Sequence, residues 1–320
     1  MCDVSVIIPV FNTDRYLPEC LDSVLSQKGI SLEILLVDDG STDKSIRIIK
    51  KYATNHPNVR FYLKKHMGVG AARNYGIKRA KGKYLMFLDS DDYLLPDALS
   101  ALFHKAEEVH ADLVIGNYRY LYDQKEQAAS PSLRERTYLA RDILHLSCIG
   151  GNKLYLSEII QDYRIRFPSL KMGEDLCFYH EYLSKVLHAL TIEEDIFVYR
   201  MHEGSTSKTY DLRIFDFFKA FQLIEEVYRD QPYMKKEFTY DEMFYLYGNL
   251  KRLPRYPDKQ DRIVLFDALQ KEAGRHRDVT PEAAILKKRI MKMNKWLYCG
   301  TLPVFVHSHL RKVIHMLYKR

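Results

Sequence analysis

Four apolar runs punctuate the first ninety residues: VSVIIPVF at 4–11, LEILLVDD at 32–39, VRFYLKK at 59–65 and KYLMFLDSDD at 83–92. They are continuous rather than alternating, which is the pattern of strands covered on both faces. Leu17, Leu21, Val24 and Leu25 recur at helical spacing between the first two runs, and STDKSIRIIKKYA opens on a capping hydroxyl before an amphipathic stretch. Strands alternating with helices predict a Rossmann-like α/β fold, a mostly parallel sheet flanked by helices. Beyond residue 115 the pattern weakens, and DQKEQAASPSLRER at 123–136 reads as a polar loop. Helical patterning returns in GGNKLYLSEII and SLKMGEDLCFYHEYLSK, followed by a strand candidate, DIFVYRMH at 195–202. From 211 onward the chain reads as a helical C-terminal extension. Phe215, Phe218, Phe221 and Ile224 share one stripe, and Leu286, Ile290, Met293 and Leu297 share another. The expected division is 1–210 and 211–320, with the first part split into halves at 115/116.

Charge changes this picture at one end only. The chain carries +7 overall, and residues 281–320 hold nine Lys or Arg against Glu282, or 9 − 1 = +8. The remainder is close to neutral, so no nucleic-acid partner is expected. In the basic tail Leu310, Val313, Ile314 and Leu317 form a further apolar stripe among cations, with Trp296, Tyr298 and Tyr318 nearby. This composition suits peripheral contact with an anionic membrane through 282–320, and equally suits helices that pack on a core. Five scattered cysteines, odd in number and without CxxC spacing, argue against both a disulfide framework and a zinc site. No apolar run approaches the roughly 20 residues of a membrane span, and MCDVSVIIPVF enters a strand without a basic leader. A cytoplasmic location is expected, peripheral to the inner face of the cell membrane if the tail docks there; oligomeric state is not legible.

The chemistry gathers where apolar runs end. Asp38 and Asp39 close the second run, and Asp89, Asp91 and Asp92 close the fourth. Ionised carboxylates this close repel one another, so a bound cation or a solvated helix-capping turn is needed. In open α/β sheets ligands collect at the carboxyl ends of strands, which favours a site. GVGAARNYG at 68–76 has Arg73 where the dinucleotide fingerprint places its third Gly, and it does not follow the first strand. An EF-hand is excluded because Leu94 and Ser100 occupy its glycine and bidentate-acid positions. DSDDY also has the D-x-D of haloacid-dehalogenase-type phosphatases, but with Tyr93 where those carry Thr or Val.

Taken in order, VSVIIPVFN, EILLVDDGSTD, GVGAARNYGIKRAKGKYLMFLDSDD and GEDLCF resemble the family 2 inverting glycosyltransferases of bacterial type, with the GT-A fold. The resemblance covers residues 3 to about 205. It implies metal-dependent transfer of a sugar from a nucleotide-diphosphate donor, a UDP-sugar, to a hydroxyl of a glycan or lipid-linked acceptor in cell-surface polysaccharide synthesis. It also implies roles. Pro9, Phe11, Asp38, Asp39, Arg73 and Asp89 would contact the donor nucleotide. Asp91, with Asp89 and His202, would hold Mn²⁺ or Mg²⁺, and Asp175 or its neighbour Glu174 would be the catalytic base. Asn152 and Lys153 would face the acceptor. Alternatives are a sugar-nucleotide nucleotidyltransferase, disfavoured because PVFNTDRYLPEC lacks a Gly-rich basic loop, and an inactive scaffold that binds a partner through its helical tail.

Overall fold

The computed structural model describes residues 2–122, 125–129, 132–202, 210–293 and 295. The chain divides into two compact units, Met1–Ser205 and Thr206–Arg320.

The first unit is built on one twisted mixed sheet. Its first half is parallel: β1 (Val4–Val10) pairs with both β2 (Leu32–Asp38) and β4 (Tyr84–Phe87), and β3 (Val59–Leu63) pairs with β2. Every residue of β1 is buried, including Pro9 opposite Val37, which explains its unbroken apolar reading. Helices α1 (Leu17–Leu25), α2 (Ser45–Asn55) and α3 (Val69–Ile77) make the crossovers. Gly76 in α3 is there for close approach: a Cβ would lie 2.5 Å from Ile7 Cγ2 of β1.

The second half is mixed. After β5 (Tyr93–Leu94) and α4 (Ala98–Val109) comes β6 (Leu113–Tyr122), which runs well beyond the point where the apolar pattern fades. The expected polar loop at 123–136 is part sheet: β7 (Lys125–Ala128) pairs antiparallel with β6, and β8 (Arg136–Tyr138) begins at its end. β7 is exposed along its length, so backbone hydrogen bonds and surface pairs such as Glu126 with Arg119, rather than buried side chains, set its position. The stretch at 150–160 is likewise not one helix. A 3-10 turn at Gly150–Asn152 leads into β9 (Lys153–Leu156), which is inserted antiparallel between β4 and β6, and only α5 (Ser157–Asp162) is α-helical. α6 (Glu174–Leu183) and the long β10 (Ala189–Met201) complete the unit; β10 pairs with β6, β5 and β8. The strand order is β3-β2-β1-β4-β9-β6-β10-β5. Two cores cover the two faces, one under α1 and α4, the other under α3 and α6.

The second unit contains α7 (Asp216–Val227), α8 (Pro232–Arg252), α9 (Lys259–Arg275) and α10 (Pro281–Met291). Phe221, Ile224, Phe238, Leu246, Leu265 and Ile290 are buried. Ile290 of the stripe from Leu286 to Leu297 thus packs inward with α10 on α8 and α9, while Leu297 and the stripe from Leu310 to Leu317 lie outside the described residues.

Candidate active site

Because β2, β1 and β4 are adjacent and parallel, their carboxyl ends lie side by side. Phe11, the Asp38–Asp39 pair and the 89–92 turn therefore emerge along one edge. Asp38 sits below that edge: its Oδ2 accepts from the Gly40 and Ser41 amides at 3.0 and 3.1 Å, and it braces the turn after β2. Asp39 ties the turn to the loop after β3. Its Oδ1 accepts from Met67 N at 2.9 Å and its Oδ2 from Gly68 N at 2.7 Å, with His66 Nδ1 also 2.9 Å from Oδ2. His66 stacks on Phe11, ring centroids 4.3 Å apart, and Phe11 stays 44% exposed although aromatic. Nothing in the local sequence marks His66 as part of this edge.

Arg73 is the hub. α3 starts beside the strand ends and presents its guanidinium to two acids distant in sequence. Nη2 donates to Asp89 Oδ1 at 2.7 Å and Nη1 to Glu174 Oε1 at 3.3 Å. The ring of Phe167 lies 5.2 Å from the guanidinium carbon, and Asn74 fixes that segment by exchanging hydrogen bonds with the Phe167 amide and carbonyl at 2.9 and 2.8 Å. Burial opposes the Arg73 charge, but Asp89 and Glu174 more than compensate and hold the guanidinium firmly protonated. Glu174 and Asp175 open α6 after Gly173, whose φ of +84° is a left-handed conformation that favours glycine. Burial, with Asp175's charge next, pushes the Glu174 carboxyl up to about 7, against the pull of Arg73. Asp175 lines a small recess with Arg73, Cys148, Phe167 and Phe178, and its Oδ1 accepts from Leu176 N at 2.8 Å.

The acids of the 89–92 turn diverge. Asp89 faces Arg73, whereas Asp91 Oδ2 meets His202 Nε2 at 3.0 Å and Asp92 Oδ1 accepts from Arg200 N at 2.8 Å. Burial and the charge of Asp89 raise the Asp91 carboxyl, which His202 lowers in part; Asp92 is pushed up further by burial and by both neighbours. Arg200, which sequence reasoning did not single out, holds the turn. Its Nε donates to the Asp91 carbonyl at 2.8 Å, Nη2 reaches Glu19 at 2.6 Å, and its guanidinium lies over the rings of Tyr16 and Tyr93. A crowded carboxylate facing an imidazole is a donor set that a divalent ion such as Mn²⁺ accepts, and such an ion would relieve the surplus negative charge.

Asn152 and Lys153 require a correction. Lys153 is 0% exposed, and its ammonium donates to the Ser147 and Ile149 carbonyls and to Asn152 Oδ1. Asn152 Nδ2 donates to the Gly116 carbonyl at 2.8 Å. Both are buried braces of the 147–153 segment and present no group outward to an acceptor; burial pushes the Lys153 amine down to about 7.

Residues 5–164, half of the chain, match the model of glycosyl transferase family 2, and the chain belongs to that family. Glycosyltransferase GlyA of Streptococcus pneumoniae is 30% identical over 228 residues, which is 65% of this chain and 32% of GlyA, so the chain spans about a third of that relative. Residues 1–349 of Staphylococcus aureus TarS, solved in complex with UDP-GlcNAc, share the fold with a TM-score of 0.72 at 23% identity, over 89% of this chain and 83% of that one. The mannosyltransferase PcManGT of Pyrobaculum calidifontis, solved with GDP-Man and Mn²⁺, gives a TM-score of 0.56 at 18% identity over 91% of this chain and 82% of that one.

Proposed function

We propose that this chain is a metal-dependent, inverting glycosyltransferase that moves a sugar from a UDP-sugar to a hydroxyl of a glycan or lipid-linked acceptor in cell-surface polysaccharide synthesis. The observation that carries the reading is the Arg73 hub, which joins the 89–92 turn to Glu174, a residue 101 positions beyond Arg73 in the chain. Family membership and the UDP-GlcNAc and Mn²⁺ complexes of the fold neighbours support it.

Roles follow from the surroundings of each group. Residues 1–115 of a catalytic domain over 1–210 bind the nucleotide, and 116–210 take the acceptor. Phe11 offers an exposed aromatic face to a base, and Asp39 orients the loop that frames it. Asp91 and His202, with Asp89 beside them, hold the Mn²⁺ or Mg²⁺. When bound, that ion supplies Lewis-acid neutralisation of the departing diphosphate. Arg73 pairs with Asp89 and, through Glu174, fixes it relative to α6. Asp175 accepts the proton of the acceptor hydroxyl as its oxygen bonds to the anomeric carbon and the bond to the diphosphate oxygen breaks. Glu174 is less available as the base, because Arg73 engages its carboxylate. Residues 282–320 provide contact with an anionic membrane on the cytoplasmic side, where lipid-linked acceptors are presented.

The test is UDP release from a panel of UDP-sugars with Mn²⁺, measured with and without EDTA. Release that EDTA stops is expected. Absence of release from every sugar nucleotide, or release indifferent to EDTA, would contradict the reading.

A further inference from the structure

We propose that Glu225 of α7, Glu242 of α8 and His276 at the end of α9 form a structural binding site for a divalent transition-metal ion of the zinc class, within the helical unit and separate from the strand-end site. Ligand atoms from the three side chains lie within 4.8 Å of one another, the one such group among the described residues. Ligands about 2.0–2.1 Å from zinc in a tetrahedron are roughly 3.3–3.4 Å apart. His276 Nε2 and Glu242 Oε2 stand at 3.3 Å, already that edge.

Burial and charge supply the independent argument. The Glu242 side chain is 1% exposed and that of His276 is 8% exposed, yet neither Glu242 oxygen nor His276 Nε2 has a hydrogen-bond partner among the described residues. Buried carboxylates left in that condition are costly and call for a cation. Arg275 is present but insufficient. It grips Glu225 through Nη2 at 2.7 Å and Nη1 at 3.2 Å and touches Glu272 at 2.8 Å, while Glu242 is 3.6 Å away. Lys287 donates to the His276 carbonyl, not to a carboxylate. Glu225, Glu242 and Glu272 thus all turn to the one guanidinium of Arg275, which is closest to Glu225 and Glu272 and furthest from Glu242. One carboxylate from each of two helices and one imidazole from a third element form a mixed O/N set of zinc type, with a fourth position for water. Its role is to fasten α7, α8 and the end of α9 together.

The experiment uses full-length protein carrying Asp91→Ala, which removes the strand-end site, stripped with chelator and returned to Zn²⁺ alone. Elemental analysis after gel filtration is expected to find one Zn²⁺ per chain. Co²⁺ in its place should give the intense visible bands of tetrahedral coordination, and metal should raise Tm by about 3–5 °C. Glu225→Gln and His276→Ala, each checked for unchanged helical circular dichroism, should each lose most of the bound metal and the Tm gain. Failure of the Asp91→Ala parent to retain Zn²⁺ overturns the proposal and leaves Glu242 as a protonated acid sharing its hydrogen with Glu225. Equal Zn²⁺ in parent and folded variants overturns it as well. The parent's stoichiometry and Co²⁺ spectrum decide the matter should either variant not fold.

Discussion

Acidic side chains gather twice in this chain, at the strand ends of the first unit and among the helices of the second. At the strand ends each acid of the 89–92 turn has its own donor: Arg73 for Asp89, His202 for Asp91, the Arg200 amide for Asp92. Those donors come from α3, the end of β10 and the segment after it, and Asp89 remains 41% exposed. In the helical unit Glu242 is closed off, three carboxylates share one guanidinium, and all the groups sit on or directly after helices. The difference is one of exchangeability. Loops at strand ends let a carboxylate trade a protein cation for a ligand at small cost, whereas packed helices fix the cluster's geometry and suit a permanent occupant.

The largest effect that separates the two clusters is expected from Asp91→Ala, which should cost about 10³-fold in UDP release, several kcal/mol of charge stabilisation. The same assay on Glu225→Gln should read near wild type; comparable losses in both would break the comparison. Next, Asp175→Asn keeps the shape of the side chain and loses the basic oxygen. Transfer should fall about 10²- to 10³-fold, and near-normal turnover beside an inactive Glu174→Gln would move the base to Glu174.

A smaller effect concerns Glu174 and pH. Its carboxyl sits near 7 in the fold against 4.5 ordinarily, so between those values the native state holds a proton that the unfolded chain has released. Stability must therefore fall as pH rises through that window, by about 2 kcal/mol for this one group. Tm of wild type measured at pH 5 and pH 7.5 should drop more than that of Glu174→Gln; parallel slopes would show that Glu174 is not strained in this way. The smallest effect is expected of the tail. Full-length protein should sediment with anionic liposomes at low salt and a chain lacking 282–320 should not, at about 1 kcal/mol per basic residue near the surface. Equal sedimentation of the two would remove the membrane role.

What was legible in the sequence follows the same physical divide. β1, β2 and β4 read clearly because strands buried on both faces are continuous apolar runs, and the acids that close β2 and β4 stand out against that background. β7 was hidden because an exposed ribbon held by backbone bonds needs no alternation. β9 reads as helix in the sequence because KLYL is too short a run to show a period, and its neighbours in space, β4 and β6, are distant in sequence. Lys153 shows the limit most sharply: a lysine in a polar stretch reads as outward-facing, and only three-dimensional neighbours reveal that three oxygens surround its ammonium. His66, Asn74 and Arg200 escaped notice for the same reason, since each works through partners that lie elsewhere in the chain. Glu242, inside YDEMFY, looks like an ordinary polar helical residue until the packing of α7 and α9 closes over it.

The central claim is that donor and metal are held by one arm of the strand-end site, through Asp91 and His202, while proton removal belongs to the other, at Asp175. The most direct measurement is calorimetric titration of UDP, in the presence of Mn²⁺, into wild type, Asp91→Ala and Asp175→Asn. The account predicts that Asp175→Asn binds UDP as wild type does and that Asp91→Ala binds at least about tenfold more weakly, a loss of roughly 1.4 kcal/mol or more. Undiminished binding by Asp91→Ala, or a matching loss in Asp175→Asn, would contradict it.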